Sequence, residues 1–332
     1  MRADAHLPTV LVVTLGGTIA MTPGPGAGSG VVPQLTAADL VAAVPGLDRW
    51  AQVEVVDFRQ KPGASLLVDD LAELAVLLTE RAAAGVDGFV VTQGTDTLEE
   101  TAFLLDLLYR GPAPLVLTGA MRNPSLAGAD GPANVLAAVQ TAASPEAAGL
   151  GCVVVFADTV HAAHLVRKVH STGIAAFASP GAGPLGYVAE GRVHLLTAAR
   201  RRPGPVRLPF TRDAKVALVT ATLGDDGALL DGLEHRFDGL VVAAFGAGHV
   251  PAAWVDPLTR IADTVPVVLA SRTGAGPVLT ETYAFPGSEK DLLARGLIGA
   301  GHLDPYKARL LLLAHLRGGA DRAGIGAAFA QF

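Results

Sequence analysis

The chain has one cysteine, no excess of basic residues and no long apolar run, and each absence excludes a class of protein. The single cysteine, Cys152, rules out intramolecular disulfides, and its apolar surroundings GCVVVF favour a core strand over a reactive thiol. The formal net charge of −6 provides no basic field for nucleic acid. The first apolar run, PTVLVV, is too short to span a membrane, and no cleavage site follows it. We therefore expect a cytoplasmic protein without nucleic-acid or membrane partners.

The residue patterns of metal and glycosidase sites are also missing. His161, His164 and His170 lie close together in sequence, but no HExxH motif or carboxylate pattern accompanies them. Glu99 and Glu100 are adjacent, and adjacent helical residues point about 100° apart, which is unsuited to flanking one glycosidic bond. We expect no metal site, and cap or surface roles for the two glutamates.

What the chain does have is an alternation of apolar, β-rich runs with helical patterns. Runs such as VLVVT, GFVVTQ and CVVVFAD are apolar on both faces, which is typical of parallel strands covered by helices. This predicts an α/β fold whose larger N-terminal domain, residues 1–197, has a mostly parallel sheet flanked by helices and closed by a GYVAEGRVHLLT hairpin. The proline-rich residues 198–213 predict a linker. The alternation then resumes in a smaller C-terminal α/β domain, residues 214–332.

The glycine-rich stretch TLGGTIAMTPGPGAGSGVV, residues 14–32, suggests phosphate binding at first sight. A phosphate loop requires a lysine and then Ser or Thr after its last glycine, whereas VVPQ follows here and the first lysine is Lys61. Prolines in and after the stretch prevent the helix that a dinucleotide-binding motif needs. What remains is a strand ending in GGT, followed by a loop suited to act as a lid. The Thr18 hydroxyl either performs chemistry or bonds the turn backbone.

A second stretch, TQGTDTLEETAFLL at residues 92–105, repeats this arrangement after another strand. Thr97 is a candidate N-cap of the helix that follows, which has acidic residues near its positive end. That structural interpretation leaves Thr95 and Asp96 in the same turn unexplained. A threonine hydroxyl becomes a nucleophile when a base removes its proton, and a lysine held by an aspartate is one such base.

Several motifs occur in an order and spacing that a known family shares: TLGGTIA, TQGTDTLEETAFLLD, LTGAMR, DGPANV, DTV…RKVHSTGIAAF…GPLGYV and DPYKARLLLLAHL. Together they resemble the bacterial type I/II L-asparaginases along almost the whole chain. The resemblance implies that Thr18 is the nucleophile, that Thr95 and Asp96 form the Thr–Asp pair of the second motif, and that Lys168 is the catalytic lysine. The substrate-binding residues that it implies are Ser65, Gly94 and Ala120.

The resemblance also implies the reaction and the assembly. Thr18 would attack the side-chain amide of L-asparagine, ammonia would leave, and water would cleave the resulting threonine ester without any cofactor. Active sites would lie at the interface of a homodimer, and two dimers would form a tetramer. Broader asparaginase/glutaminase activity and a non-catalytic amino-acid sensor with the same pocket are alternatives, although the paired nucleophile and base residues favour an enzyme. An archaeal tRNA-dependent amidotransferase is a third, but the chain lacks room for its extra N-terminal domain.

The chain departs from the family pattern at the lid and in the pocket. The family often has a tyrosine in the lid, which is absent here, and Tyr283 is a candidate replacement. Glu281 is a candidate for the family's lid-facing glutamate. The pocket serine falls in FRQKPGAS, where counting from the strand gives Gln60 and counting back from the helix favours Ser65. The turn FGAGHVP, expected to cover a neighbour's site, has Ala247 where the family can have asparagine.

Overall fold

The computed structural model describes residues 7–17, 19, 21–23, 31–33, 36–198 and 206–332, with only the backbone described at 21–23 and 31–33. By its internal contacts the chain divides into two compact units, Met1–Arg202 and Pro203–Phe332. Within those described ranges, no helix is both long enough and apolar enough to cross a membrane.

The N-terminal unit contains twelve strands and four α-helices in its described residues. The strands are β1 (Thr9–Thr14), β2 (Met21–Pro23), β3 (Val31–Pro33), β4 (Gln52–Asp57), β5 (Gly88–Thr92), β6 (Leu115–Thr118), β7 (Cys152–Phe156), β8 (Thr159–Ala162), β9 (Arg167–Lys168), β10 (Phe177–Ala178), β11 (Gly186–Ala189) and β12 (Arg192–Leu195). The helices are α1 (Ala37–Ala42), α2 (Val68–Ala83), α3 (Leu98–Leu108) and α4 (Gly131–Ala142).

Eight of these strands form one sheet in the order β12-β11-β8-β7-β6-β5-β1-β4. The five strands from β7 to β4 pair in parallel, while β8, β11 and β12 continue the sheet antiparallel. The predicted mostly parallel sheet and its closing hairpin, β11–β12, are therefore confirmed. Two small antiparallel pairs, β2–β3 and β9–β10, lie outside this sheet.

Both faces of the central strands are covered, as their continuous apolar runs predict. Val10 and Val90 belong to a core shared with α1 and α4, and their chain neighbours Leu11 and Phe89, which point to the opposite face, are also fully buried. The run VEVVDF behaves differently, because β4 is the edge strand and most of its side chains are partly or fully exposed. An apolar run alone does not distinguish an edge strand from a central one.

The sheet has a point where the strand order reverses, and it lies beside β1. From β1 the chain adds β4 on one side, and then crosses to add β5, β6 and β7 successively on the other. In open α/β sheets, ligands bind beyond the carboxyl ends of the strands at such a point. The two threonine-containing motifs follow β1 and β5, the strands that flank it.

The C-terminal unit has a smaller parallel sheet, which confirms the second part of the fold prediction. Its order is β13 (Val216–Thr220), β14 (Gly239–Ala244), β15 (Val267–Ser271) and β16 (Ile298–Gly299). Trp254 is fully buried in the core of this unit. Its helices are α5 (Val255–Thr264), α6 (Glu289–Ala294), α7 (Pro305–Arg317) and α8 (Arg322–Phe329).

Candidate active site

The loops after β1 and β5 meet through two glycines. Gly17 has a φ of 93°, in the left-handed region, and a Cβ placed on it would lie 2.0 Å from the Gly94 nitrogen. No other residue fits there, because a side chain would overlap the neighbouring backbone. The first motif therefore contacts the second directly, with the residue before Thr18 against the residue before Thr95. Thr18 itself lies outside the described residues.

Lys168 joins the second motif to a distant part of the chain. Its Nζ donates to Thr95 Oγ1 at 2.9 Å and to Asp96 Oδ1 at 2.9 Å. Thr95 is 6% exposed, and the Lys168 side chain is 17% exposed, whereas 69% of the Asp96 side chain is exposed. This geometry places an amine within proton-transfer distance of a nearly buried threonine hydroxyl, with a carboxylate holding the amine.

The turn that contains Ser65 packs against the turn that contains Thr95. Thr97 is the N-cap residue of α3, as the sequence predicts, but its side chain makes no capping hydrogen bond. Its hydroxyl instead donates to the Gly63 carbonyl at 2.9 Å, 34 residues away in sequence. A Cβ on Gly63 would lie 3.1 Å from the Gly94 oxygen, so the two turns are in close contact. Ser65 is exposed, and its substrate-binding role stays a prediction.

A buried carboxylate anchors the segment that leads to this turn. Asp70, in the first turn of α2, accepts hydrogen bonds from Arg59 Nε at 2.8 Å, from Lys61 Nζ at 2.7 Å and from the Leu67 N–H at 2.9 Å. Burial acts to raise the pKa of Asp70, but the hydrogen bonds from Lys61, Arg59 and Leu67 outweigh it and lower the pKa to about 2. The carboxylate is thus ionised at neutral pH and fixes residues 59–67 against the helix.

Ala120, the third predicted substrate-binding residue, follows the neighbouring strand β6. It is 1% exposed, so its methyl group is part of the core. Its surroundings are held by Asn134 of α4, whose Nδ2 donates to the Gly119 carbonyl at 2.9 Å. Asp130 accepts the N–H groups of Met121 and Arg122, each at 2.9 Å. The loop after β6 therefore has a defined backbone path, which is what a backbone contact to substrate would require.

Glu99 is a residue that the sequence interpretation placed in a cap or surface role, and the structure contradicts the surface role. It is 7% exposed, and its Oε2 accepts the main-chain N–H of Lys168 at 2.8 Å. The spacing of the sequence could not reveal this contact, since the two residues are 69 positions apart.

The histidines considered for a metal site have other partners. His170 Nδ1 accepts the N–H groups of Thr172 and Gly173 at 3.0 and 2.8 Å. His161, on β8, is 3% exposed and its Nδ1 lies 2.9 Å from Ser179 Oγ. Across the described parts of the chain, no group of three or more His, Cys, Asp or Glu side chains has the arrangement of a metal site.

The buried histidine predicts a loss of stability in acid. Burial lowers the pKa of His161 from 6.5 to about 4, so the folded state disfavours its charged form. Between these values the unfolded chain binds more protons than the folded one, and the free energy of unfolding falls as pH decreases from 6.5 towards 4, by about 3 kcal/mol in full. We expect His161→Gln to flatten this dependence in urea unfolding at pH 7.5 and 5.0. Burial also lowers the pKa of His315, so this histidine adds to the pH dependence of both proteins. The variant is therefore compared with the wild type at each pH. If the free energy of unfolding of the variant falls with pH as steeply as that of the wild type, His161 is not the source of the acid sensitivity.

One candidate in the C-terminal unit, Tyr283, contacts a buried glutamate that the sequence did not single out. Glu289 is fully buried and accepts the N–H groups of Thr282 and Tyr283 at 3.1 and 2.8 Å, and His249 Nε2 lies 3.2 Å from its Oε2. Although burial opposes it, these main-chain N–H groups lower the pKa of Glu289. Tyr283 itself is 42% exposed, and Glu281 and Ala247 are outside this contact set. Their predicted roles at a lid or a neighbour's site remain predictions.

Comparison with known proteins shows similarity along nearly the whole chain. The family model described as "Asparaginase, N-terminal" matches residues 9–201, and the one described as "Glutaminase/Asparaginase C-terminal domain" matches residues 215–329. The chain is 40% identical over 331 residues to "Probable L-asparaginase" of Deinococcus radiodurans, covering 98% of each protein. It is 34% identical to "L-asparaginase 2" of Escherichia coli, covering 99% of this chain and 95% of that protein. The crystal structure of a probable cytoplasmic L-asparaginase from Campylobacter jejuni superimposes with a TM-score of 0.86 at 31% identity, covering 98% of this chain and all of that one.

Proposed function

The chain belongs to the asparaginase family of amidohydrolase enzymes, and from that premise we propose that it hydrolyses the side-chain amide of L-asparagine to L-aspartate and ammonia. The observation that carries the proposal is the contact of Lys168 Nζ with both Thr95 Oγ1 and Asp96 Oδ1 at 2.9 Å. Binding alone would need no amine held against a threonine hydroxyl. Amide hydrolysis does, because a hydroxyl must lose its proton to act on a carbonyl.

We assign the first chemical step to Thr18. Its oxygen would bond to the amide carbon, its proton would pass to the departing nitrogen, and ammonia would leave an ester between Thr18 and the aspartyl group. The contact of Gly17 with Gly94 supports this, since it joins the loop of Thr18 to that of Thr95. Backbone N–H groups near Thr95 would stabilise the oxyanion, an effect of about 3–4 kcal/mol per donor in comparable sites.

The second step would use the Thr95–Lys168–Asp96 contacts. Lys168 would accept the proton of Thr95 while Thr95 takes that of a water attacking the ester. The bond between the carbonyl carbon and the Thr18 oxygen would then break, and the proton held by Lys168 would return to Thr18, which leaves L-aspartate and the free hydroxyl. Asp96 would hold the lysine through one oxygen. Because its side chain is 69% exposed, its carboxylate is also open to the α-ammonium of the substrate. Ser65, Gly94 and Ala120 would complete the substrate pocket.

An ammonia-release assay with L-asparagine, D-asparagine and L-glutamine tests the proposal. We expect the largest kcat/KM with L-asparagine. Comparable turnover of L-glutamine would favour the broader asparaginase/glutaminase. Tight binding of an amino acid by calorimetry, with no ammonia from any of the three, would contradict the enzyme and favour the sensor. The cytoplasmic location of the protein remains a prediction, which the cytoplasmic relative from Campylobacter jejuni favours.

We further propose a homo-oligomer, with two dimers forming a tetramer and active sites at the dimer interface. Tyr283 and Phe285 support an interface in the C-terminal unit, because they are 42% and 47% exposed and pack edge-on against His249 at ring distances of 4.8 and 5.0 Å. Activity per chain should then fall on dilution as the dimer dissociates. A monomer by light scattering that is fully active at nanomolar concentration would exclude this assembly.

A further inference from the structure

The strand that carries Lys168 has little support of its own. β9 is two residues long and, among the residues that the structure describes, pairs only with the equally short β10, outside the eight-stranded sheet. Their ladder includes the bond from the Val169 N–H to the Ala176 carbonyl at 2.7 Å. An isolated two-stranded hairpin is at best marginally stable in water. The orientation of Lys168 must therefore depend on contacts outside the hairpin.

Glu99 supplies such a contact at Lys168 itself. In an antiparallel pair, hydrogen-bonded and non-hydrogen-bonded positions alternate, so the bond at Val169 leaves the Lys168 N–H pointing away from β10. That N–H donates to Glu99 Oε2 at 2.8 Å. A second buried contact, 2.9 Å between His161 Nδ1 and Ser179 Oγ, holds the chain just beyond β10.

Glu99 lies in the same chain segment as Thr95 and Asp96, the two partners of Lys168 Nζ. Glu99 is the second residue of α3, which continues directly from the Thr95–Thr97 turn. The acceptor of the Lys168 main chain and the two partners of its Nζ therefore belong to one short, continuous piece of structure. Any movement of β9 relative to this piece changes the 2.9 Å contacts of Nζ.

We propose that Glu99 is a positioning residue: it holds the main chain of Lys168 so that Nζ stays at Thr95 and Asp96. The proposal rests on the proposed amidohydrolase function, in which Lys168 handles the proton. A displacement of about 1 Å in a catalytic group can lower a rate about a hundredfold. Because Glu99 is 7% exposed and acts on Lys168 through its main chain, its loss should lower kcat and leave KM nearly unchanged.

The kinetic test compares Glu99→Leu with Glu99→Gln. Leucine removes the acceptor, and we expect kcat for L-asparagine to fall about 10- to 100-fold with KM within about twofold. Glutamine keeps a carbonyl oxygen for the Lys168 N–H and should recover most of kcat. Glu80→Leu, the same change at an exposed position of α2, is the matched control and should behave as wild type. A wild-type kcat in folded Glu99→Leu, or an equal loss in the Leu and Gln variants, would overturn the proposal.

Hydrogen exchange tests the contact independently of turnover. We expect the Lys168 amide to exchange about tenfold faster or more in Glu99→Leu and to stay protected in Glu99→Gln, while Leu104, in the middle of α3, keeps its protection in both. If α3 also loses protection in Glu99→Leu, that variant has a disturbed helix and Glu99→Gln becomes the test. Rapid exchange of the Lys168 amide in Glu99→Gln would then overturn the proposal. Wild-type protein that releases no ammonia would refute the proposed function, whereas the exchange result would still decide whether Glu99 holds Lys168.

Discussion

Lys168→Met is expected to lower kcat for L-asparagine about a thousandfold or more while leaving the fold intact. Methionine keeps the unbranched shape of the side chain but removes the amine that contacts Thr95 Oγ1 and Asp96 Oδ1 at 2.9 Å. General acid–base groups contribute about 10²- to 10⁴-fold to rates, and Lys168, which we propose to be one, also holds the Thr95 hydroxyl. The main-chain bond to Glu99 does not involve the side chain and should persist.

Steady-state kinetics with thermal unfolding of the same samples measures this effect. Lys215→Met makes the same chemical change at an exposed residue of the C-terminal unit to which no role is assigned, and it should retain full activity. The exposed salt bridge of Lys168 with Asp96 contributes little to stability, so the melting temperatures of wild type and variant should be similar. A Lys168→Met enzyme within about tenfold of the wild-type kcat would show that another base serves the threonine.

The fold was predictable from sequence because its evidence is local. Continuous apolar runs distinguish strands covered on both faces, and the GYVAEGRVHLLT hairpin has its turn at Glu190 and Gly191, both with positive φ. The exposed edge position of β4 was not predictable, because strand order depends on pairing between distant segments.

The site was predictable only where a motif carries it. Thr95 and Asp96 are adjacent in sequence and remain unexplained by capping, so local reasoning finds them. Lys168 is 73 residues from Thr95, and only the family resemblance identified it. The side-chain contacts of Glu99 and Thr97 were missed for a common reason. Their spacing at a helix start predicts capping or solvent exposure, whereas the tertiary fold directs one side chain to the Lys168 backbone and the other to Gly63.

Thr18→Ala should abolish turnover, with a loss of about 10⁴-fold or more in kcat, because it removes the proposed nucleophile itself. Thr95→Ala should also lower kcat severely, but for a different reason. It removes the hydroxyl that we propose passes a proton from the attacking water to Lys168. The two losses should not multiply in the double variant, because residues that act as a unit are strongly non-additive. Thr197→Ala, at an exposed position, is the matched control.

Trapping the covalent intermediate separates the roles of the two threonines. In Thr95→Ala, slow deacylation should let an aspartyl ester accumulate after mixing with L-asparagine. Acid quenching, proteolysis and mass spectrometry should then place the added mass on the peptide that contains Thr18. In Thr18→Ala no adduct should form, because we propose that Thr95 carries protons to Lys168 and does not attack the substrate. An ester on Thr95 in that variant, or Thr18→Ala retaining more than about 5% of the wild-type rate, would reverse the assignment and make Thr95 the nucleophile.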